Sequence, residues 1–278
     1  MARDFNGSSN YGSLTLNTAQ KALTTHTIAW WEYLDSNAQY KRPYDFDSTT
    51  HDYRMEFDDS WGYVFVIGWS TNDGKWSIAK PATGAWHHIA VTYNGGATTN
   101  DPIIYLDGVS QTITERATPS GTLALPAGSG WIGSNDGTGQ FFDGRLAEFA
   151  IWNKILTASE IASLGKAFSP LTNPIGLVLY LPLIGRASPE VELMGGSNLT
   201  LTNAPTVIAH PRIIHPSSFQ DRRFTTAASS PSASISPSAS VSPSASVSPS
   251  ASIRPSASVS HSASASASVS PSSSVSAS

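Results

Sequence analysis

Hydrophobic residues recur at every second position through much of the first half of the chain. The clearest stretch spans residues 61–69, where large aromatic and aliphatic side chains alternate with glycine and valine. Successive side chains of a β-strand point to opposite faces of the sheet, so this pattern predicts a strand. Because neither set of alternating residues is polar, we expect both faces of this strand to be covered.

Other runs rich in β-branched and aromatic residues predict further strands, at residues 27–33, 84–96, 103–106, 129–133 and 144–152. Asp107 and Gly108 separate two of these runs. An Asp-Gly pair in this position predicts a tight hairpin, because both central residues of a type I′ turn need positive φ. Strands and turns at this density predict an all-β sandwich or barrel.

One helix is predicted at residues 157–165, where Thr157 and Glu160 form a capping-box pattern and Gly165 suits the end. Two more strands are predicted after it, within residues 176–183 and 198–203. We expect them to pair with the first strand and complete the sandwich. The folded part is therefore predicted to cover residues 1–219.

The remaining residues, 220–278, are dominated by serine, alanine and proline, with a six-residue repeat that places a proline at every sixth position from Pro231 to Pro255. This segment has too little apolar surface to offset the entropy lost on ordering, so we predict a disordered tail. A solenoid is the alternative for a hexapeptide repeat, but a proline in each regular repeat disfavours it.

Charge and composition exclude several classes of partner. The formal net charge is −4, which provides no general attraction for nucleic acid. The chain has no cysteine and therefore no disulfide. No apolar run reaches the length that spans a bilayer, and the first residues do not have the pattern of a signal peptide, so we expect no membrane insertion.

Several segments together resemble the concanavalin A-like lectin/glucanase superfamily, and specifically its laminin G-like domains. The resemblance covers residues 3–165 and is carried by DFNGSSNY, GAWHHIAVTYNGG, IIYLDGV, WIGSNDG and FFDGRLAEFAIWNKILTASEI. It implies an antiparallel two-sheet jelly-roll sandwich with one short helix. Residues 175–205 look like the additional strands that accompany such domains.

The resemblance also implies calcium as a cofactor, bound at the rim of the sandwich. Calcium takes six to eight oxygen ligands, which polar loops supply. The candidates here are Asp4, Asn135, Asp136 and Asp143. Ordinary turn chemistry explains the same residues equally well.

Carbohydrate recognition combines aromatic rings with amide and carboxylate groups. A polar loop of residues 70–75 connects two tryptophans and offers this chemistry. We predict a glycan platform formed by Trp69, Trp76, Asn72, Asp73 and Tyr44, with burial of the rings in the core as the alternative.

A glycosidase would need two suitably placed carboxylates. Glu56 and Asp58 come nearest to the superfamily's catalytic strand, but the third carboxylate of that motif is missing, and Glu148 stands among apolar residues. We therefore predict a protein that is not an enzyme.

The leading hypothesis is a module that binds a glycan or a cell or virion surface, located at an extracellular surface or on a virion. A purely structural or protein-interaction domain is the second hypothesis, and a glycoside hydrolase is the third. The sequence leaves the oligomeric state open.

Overall fold

The computed structural model describes residues 1–47 and 51–216. These residues form two antiparallel sheets that pack face to face around a large apolar core. The predicted jelly-roll sandwich is thereby confirmed. Residues 220–278, where a tail is predicted, and the predicted end of the folded part at residue 219 lie outside the described residues.

Within the described part, the strands in chain order are β1 (Ala2–Asn6), β2 (Tyr11–Thr15), β3 (Thr25–Leu34), β4 (Tyr44–Asp47), β5 (Asp52–Asp58), β6 (Gly62–Ile67), β7 (Gly74–Ile78), β8 (Trp86–Asn94), β9 (Ile103–Leu106), β10 (Val109–Ser110), β11 (Thr114–Ala117), β12 (Ser129–Ile132), β13 (Asp143–Trp152), β14 (Leu177–Leu181), β15 (Thr200–Thr202) and β16 (Thr206–Ile208). The helices are α1 (Thr18–Lys21) and α2 (Ala158–Gly165), and Pro170–Thr172 forms a 3₁₀ turn.

The two sheets, here named the front sheet and the back sheet, contain different sets of strands. The front sheet has the strand order β11-β7-β6-β5-β4-β12-β2-β15. The back sheet has the order β10-β9-β8-β3-β13-β1-β16, and β14 pairs with the second half of β13. The first half of β13 pairs with β1, and its second half pairs with β14. A register shift between Ala147 and Ala150, in the pairing of β13 with β3, separates the two halves.

Alternation along β6 shows how the strand pattern produces the core. Tyr63, Phe65 and Ile67 are fully buried between the sheets. Val64 and Val66 point to the other side of the front sheet and are buried as well, at 1% and 0% exposure. The expectation that both faces of this strand are covered is confirmed.

Two predictions from local sequence are confirmed: the capped helix α2 and the Asp-Gly hairpin between β9 and β10. Thr157 and Glu160 form the capping box at the start of α2. Asp107 and Gly108 both have positive φ, 52° and 80°, in the turn between β9 and β10. The one-turn helix α1 was not predicted, since its own capping box, formed by Asn17 with Gln20, caps only four residues.

Residues beyond the helix complete both sheets, but their pairing differs from the prediction. Strand β14 pairs with β13 rather than with the first strand, β15 pairs with β2 at the edge of the front sheet, and β16 pairs with β1. Leu179, Leu181 and Leu199 from this region belong to the central core. Strand β1 pairs with β13 only as far as Leu146, so the second half of β13, from Phe149 to Trp152, is available to β14.

Neither helix in residues 1–47 and 51–216 has the length and apolar character needed to cross a membrane.

Candidate functional site

A groove with a volume of about 400 Å³ opens on the outer face of the front sheet, along the edge formed by β12, β2 and β15. Its side chains supply one indole, five hydroxyls and one amide, from Trp131, Ser13, Thr15, Ser129, Ser197, Thr200 and Asn198. The groove therefore combines an aromatic surface with several neutral hydrogen-bonding groups.

The register of β12 positions Trp131 on the outer face. Trp131 lies directly opposite Ser13 of β2 on one side and Asp45 of β4 on the other. Its neighbour Ile132 points inward and is fully buried. Because side chains alternate along a strand, the burial of Ile132 in the core directs the indole of Trp131 outward, where it is half-buried.

The segment before β15 forms the far wall of the groove. Asn198 is exposed, and its Oδ1 accepts a hydrogen bond from the backbone N–H of Glu192 at 3.1 Å. This bond orients the amide and leaves its NH₂ group as a donor. Thr200 lies opposite Ser13 and adds a hydroxyl on the same side of the sheet.

An ionic network borders the groove on the side of β4. The guanidinium group of Arg42 donates hydrogen bonds to Asp45, to Glu56 at 3.0 Å and to the amide oxygen of Asn135 at 2.9 Å. Arg54 also contacts Glu56, at 3.0 Å. Because each carboxylate lies against a guanidinium group, the charges of this network compensate one another beside the uncharged groove.

A family model decides the classification. The laminin G model of the concanavalin A-like lectin/glucanases superfamily matches residues 6–162, which is more than half of the chain. The chain belongs to this superfamily. In this concanavalin A-like domain the groove lies partly outside the matched range, because Ser197, Asn198 and Thr200 come from the added strands.

Known proteins that are similar to this domain cover only parts of it. Neuronal pentraxin-1 of Rattus norvegicus is 31% identical over 141 residues, which is 48% of this chain and 27% of that protein. The Homo sapiens protein of the same name is 30% identical over 141 residues. The chain therefore spans about a quarter of the length of these relatives.

One solved structure with a TM-score above 0.5 has a similar fold. A Bacteroides ovatus protein that bears the provisional name carbohydrate binding protein superposes with a TM-score of 0.51 and 17% identity, over 77% of this chain and 61% of that one. A heptameric SAP-like pentraxin from Limulus polyphemus has a TM-score of 0.49 and 13% identity, over 74% of this chain and 97% of that one.

The predicted aromatic platform is wrong for this concanavalin A-like domain, because its rings lie in the core. Trp69, Trp76 and Tyr44 are 3%, 0% and 0% exposed. The indole of Trp76 packs near Phe65 and donates its Nε1–H to Asp101 at 2.8 Å. Trp69 continues the inward-facing positions of β6 and Trp76 is an inward-facing position of β7, so the alternation that predicts these strands also buries both indoles.

The polar residues of the loop between Trp69 and Trp76 form hydrogen bonds within the protein. Asn72 donates its amide to the carbonyl of Thr118 at 2.6 Å. Asp73 lies 2.7 Å from the Nδ1 of His51 and accepts the backbone N–H of Trp69 at 3.2 Å. These bonds hold a hairpin together, and the residues do not converge on an open surface with the rings.

The predicted calcium ligands are divided between the two sheets. Asp4 on β1 lies 3.7 Å from Arg145 and accepts a hydrogen bond from Thr206, on the back sheet. Asp143 begins β13, opposite Asn6. Asn135, by contrast, contacts Arg42 beside the front sheet.

Two of the predicted calcium ligands, Asn135 and Asp136, accept hydrogen bonds within the protein. The Oδ1 of Asn135 accepts a hydrogen bond from Arg42, and Asp136 accepts hydrogen bonds from the hydroxyl and the backbone N–H of Thr138. Among the residues that the structure describes, no group of three or more histidine, aspartate or glutamate side chains could hold a metal ion. The four predicted residues do not fit one calcium site, because Asp4 lies with Arg145 and Thr206 on the back sheet, whereas the Oδ1 of Asn135 accepts from Arg42 beside the front sheet.

Of the carboxylates considered for hydrolysis, Glu56 and Asp58 lie on the same face of β5 in the front sheet, whereas Glu148 lies on the back sheet. Glu56 is held by two arginines on the front sheet, and Asp58 caps the turn that leads into β6 by accepting the backbone N–H of Trp61 at 2.8 Å. Glu148 is buried on the back sheet, where Tyr180 donates to it at 2.6 Å.

A further buried carboxyl, Glu32 on β3, was not singled out from the sequence. Its Oε2 accepts hydrogen bonds from the indole of Trp30 and the hydroxyl of Tyr63, both at 2.7 Å. Burial raises the pKa of Glu32 to about 7, while these two hydrogen bonds oppose the rise. The group lies between the sheets, so it is a feature of the core and not of the groove.

Sequence reasoning also missed Trp131 as a residue of the groove. The usable signal was the alternation of β12, in which Trp131 and the buried Ile132 must face opposite sides. The polar partners across the groove come from residues 13–15 and 197–200. Their proximity depends on strand pairing, which the linear pattern does not specify.

Proposed function

We propose that this domain is a non-catalytic module that binds glycans in the groove beside Trp131. The observation that carries the proposal is one half-buried indole surrounded by hydroxyl and amide groups, without a charged side chain in the lining. An indole covers the apolar face of a sugar ring, and neutral polar groups hydrogen-bond to its hydroxyls.

The placement of the carboxylates supports binding without hydrolysis. A retaining or inverting glycosidase needs two carboxyl groups on either side of one glycosidic bond. Glu148 lies on a different sheet from Glu56 and Asp58. Glu56 is paired with Arg42 and Arg54, and Asp58 accepts the backbone N–H groups of Ser60 and Trp61 in its own turn. The groove itself is lined by no carboxylate.

The same lining supports binding that does not depend on calcium, since no carboxylate reaches the groove. We further propose that the module works at an extracellular surface or on a virion, as inferred from the composition of the chain. A structural or protein-interaction role remains the competing function, and the experiment below distinguishes it.

The test is a screen of the full chain on an array of neutral and acidic glycans. We expect binding by the wild-type protein, unchanged by EDTA. Trp131→Ala should weaken binding at least about tenfold, equivalent to about 1.4 kcal/mol, because it removes the stacking surface. Trp131→Phe should retain part of the affinity.

Trp61→Ala is the matched control, because Trp61 is a 40% exposed tryptophan at the turn before β6, outside the groove. It should bind as the wild type does. Binding that survives Trp131→Ala would contradict the proposal. A folded protein that binds no glycan would favour the protein-interaction role, and release of reducing sugar would favour an enzyme.

A further inference from the structure

The outer face that carries Trp131 continues along β2 to a second aromatic group. Gly12 and Leu14 of β2 are buried, so Tyr11, Ser13 and Thr15 point outward on one face. Ser13 lies directly opposite Trp131. Tyr11 is therefore a diagonal neighbour of the indole on the same face of the sheet.

A second ring accompanies Tyr11. The ring centroids of Tyr11 and Phe141 are 6.3 Å apart, with an angle of 35° between their planes. Both side chains are half-buried, whereas the next residue, Phe142, is fully buried in the core. The two rings thus form a partly open aromatic surface beyond the end of the groove.

The loop that follows β12 holds this pair in place. A Cβ atom at Gly137 would lie 2.7 Å from the Cζ of Tyr11, and the φ of Gly137 is +79°. Glycine at this position lets the loop backbone approach the tyrosine ring closely. The backbone N–H of Arg42 donates to the carbonyl of Gln140 at 3.2 Å, which fixes the chain just before Phe141.

Hydroxyl groups connect the two aromatic positions. Thr200 lies opposite Ser13, and Thr202 lies opposite Tyr11, along the edge strand β15. Beside this surface, the carboxylates of the network around Arg42 lie against guanidinium groups, whereas Asp136, next to Gly137, is exposed and accepts from Thr138. The surface from Trp131 to Tyr11 therefore offers rings and hydroxyls, and the carboxylate of Asp136 beside it would repel an acidic sugar.

We infer, building on the proposed function, that the site takes a neutral oligosaccharide of at least two sugar residues. One sugar residue stacks on Trp131, and the next contacts the aromatic pair of Tyr11 and Phe141. The hydroxyls of the β2–β15 edge bind the segment between them.

The experiment measures affinity against chain length by calorimetry, using the full protein and cello-, malto- and arabino-oligosaccharides of one to four sugar residues. For at least one series, we expect the wild-type dissociation constant to fall at least tenfold from the monosaccharide to the disaccharide. Tyr11→Ala should abolish this gain and leave the monosaccharide affinity within twofold, whereas Tyr11→Phe should keep the gain.

Phe141→Ala is the second variant, for the case that Tyr11→Ala does not fold, and it should reduce the same gain. Trp61→Ala should leave the whole series unchanged. Three results would overturn the inference: a length dependence that survives in folded Tyr11→Ala and Phe141→Ala, affinity that does not rise with length, or binding of acidic glycans alone. Loss of array binding in Trp131→Ala would still support the proposed function in each of these cases.

Discussion

Trp131 and Trp76 lie on the same sheet and have opposite surroundings, because they occupy opposite faces of it. Trp76 pairs with Phe65 and is fully buried between the sheets. Trp131 pairs with Ser13 and Asp45 and faces outward. A tryptophan's contribution to binding or to stability is thus decided by the parity of its position in the strand.

Glu32 offers a prediction about pH at the scale of a single residue. Its folded-state pKa of about 7 lies above its usual value of 4.5, so between these values the folded protein binds more protons than the unfolded chain. Its contribution to stability is therefore fully present below pH 4.5 and is lost as the pH rises through 7.

We expect Glu32→Gln to remove this loss, since the glutamine oxygen can still accept from Trp30 and Tyr63. Measured by urea denaturation at pH 5 and pH 9, the stability of the variant relative to wild type should rise by roughly 3 kcal/mol between the two. The buried His26 and His88, whose pKa values burial lowers to about 4, are present in both proteins and cancel in the comparison. A relative stability that stays constant with pH would contradict the prediction.

The hairpin between β9 and β10 lies close to helix α2 at its turn. Gly108 adopts a φ of +80°, and a Cβ atom there would lie 3.1 Å from the backbone of Ala162 in α2. The turn residue therefore also sets how closely the hairpin and the helix approach. Turn chemistry was predicted from the sequence, whereas the contact with the helix was not.

We expect Gly108→Ala to lower stability by more than Gly84→Ala, with a difference of at least about 1 kcal/mol. Gly84 is the matched control, since it has a φ of +83° and nothing within 4 Å of an added Cβ. Both variants share the cost of positive φ, so the difference reports the contact with α2. Equal melting temperatures for the two variants would show that the contact costs nothing.

Across the whole molecule, a buried ion pair joins the first strand to the region after the family match. Arg3 donates to Glu190 at 2.5 Å and to the carbonyl of Ala187 at 2.6 Å. The side chains of Arg3 and Glu190 are 8% and 3% exposed. Removing one partner would leave a buried charge without its counterion.

We expect Arg3→Ala to destabilise the protein by about 3–5 kcal/mol in urea denaturation. The double replacement Arg3→Met with Glu190→Met should cost less than the sum of the two single replacements, because it leaves no unpaired charge. Additive costs would show that the two groups do not depend on each other.

Local pattern determined much of this protein by itself. Alternation predicted the buried faces of β6, the Asp-Gly sequence predicted the hairpin, and the capping box of Thr157 and Glu160 predicted α2, since each depends on neighbours within a few residues. Together with the family resemblance, these signals were sufficient for the sandwich.

Only the tertiary structure decided which residues meet in the candidate site. Trp131, Ser13 and Asn198 are far apart in the chain and meet because β12, β2 and the segment before β15 lie side by side. Likewise, Arg42 donates a hydrogen bond to the amide oxygen of Asn135, one of the predicted calcium ligands, although the two residues are far apart in the chain. Strand order and register bring such residues together, and they arise from long-range packing that short sequence patterns do not encode.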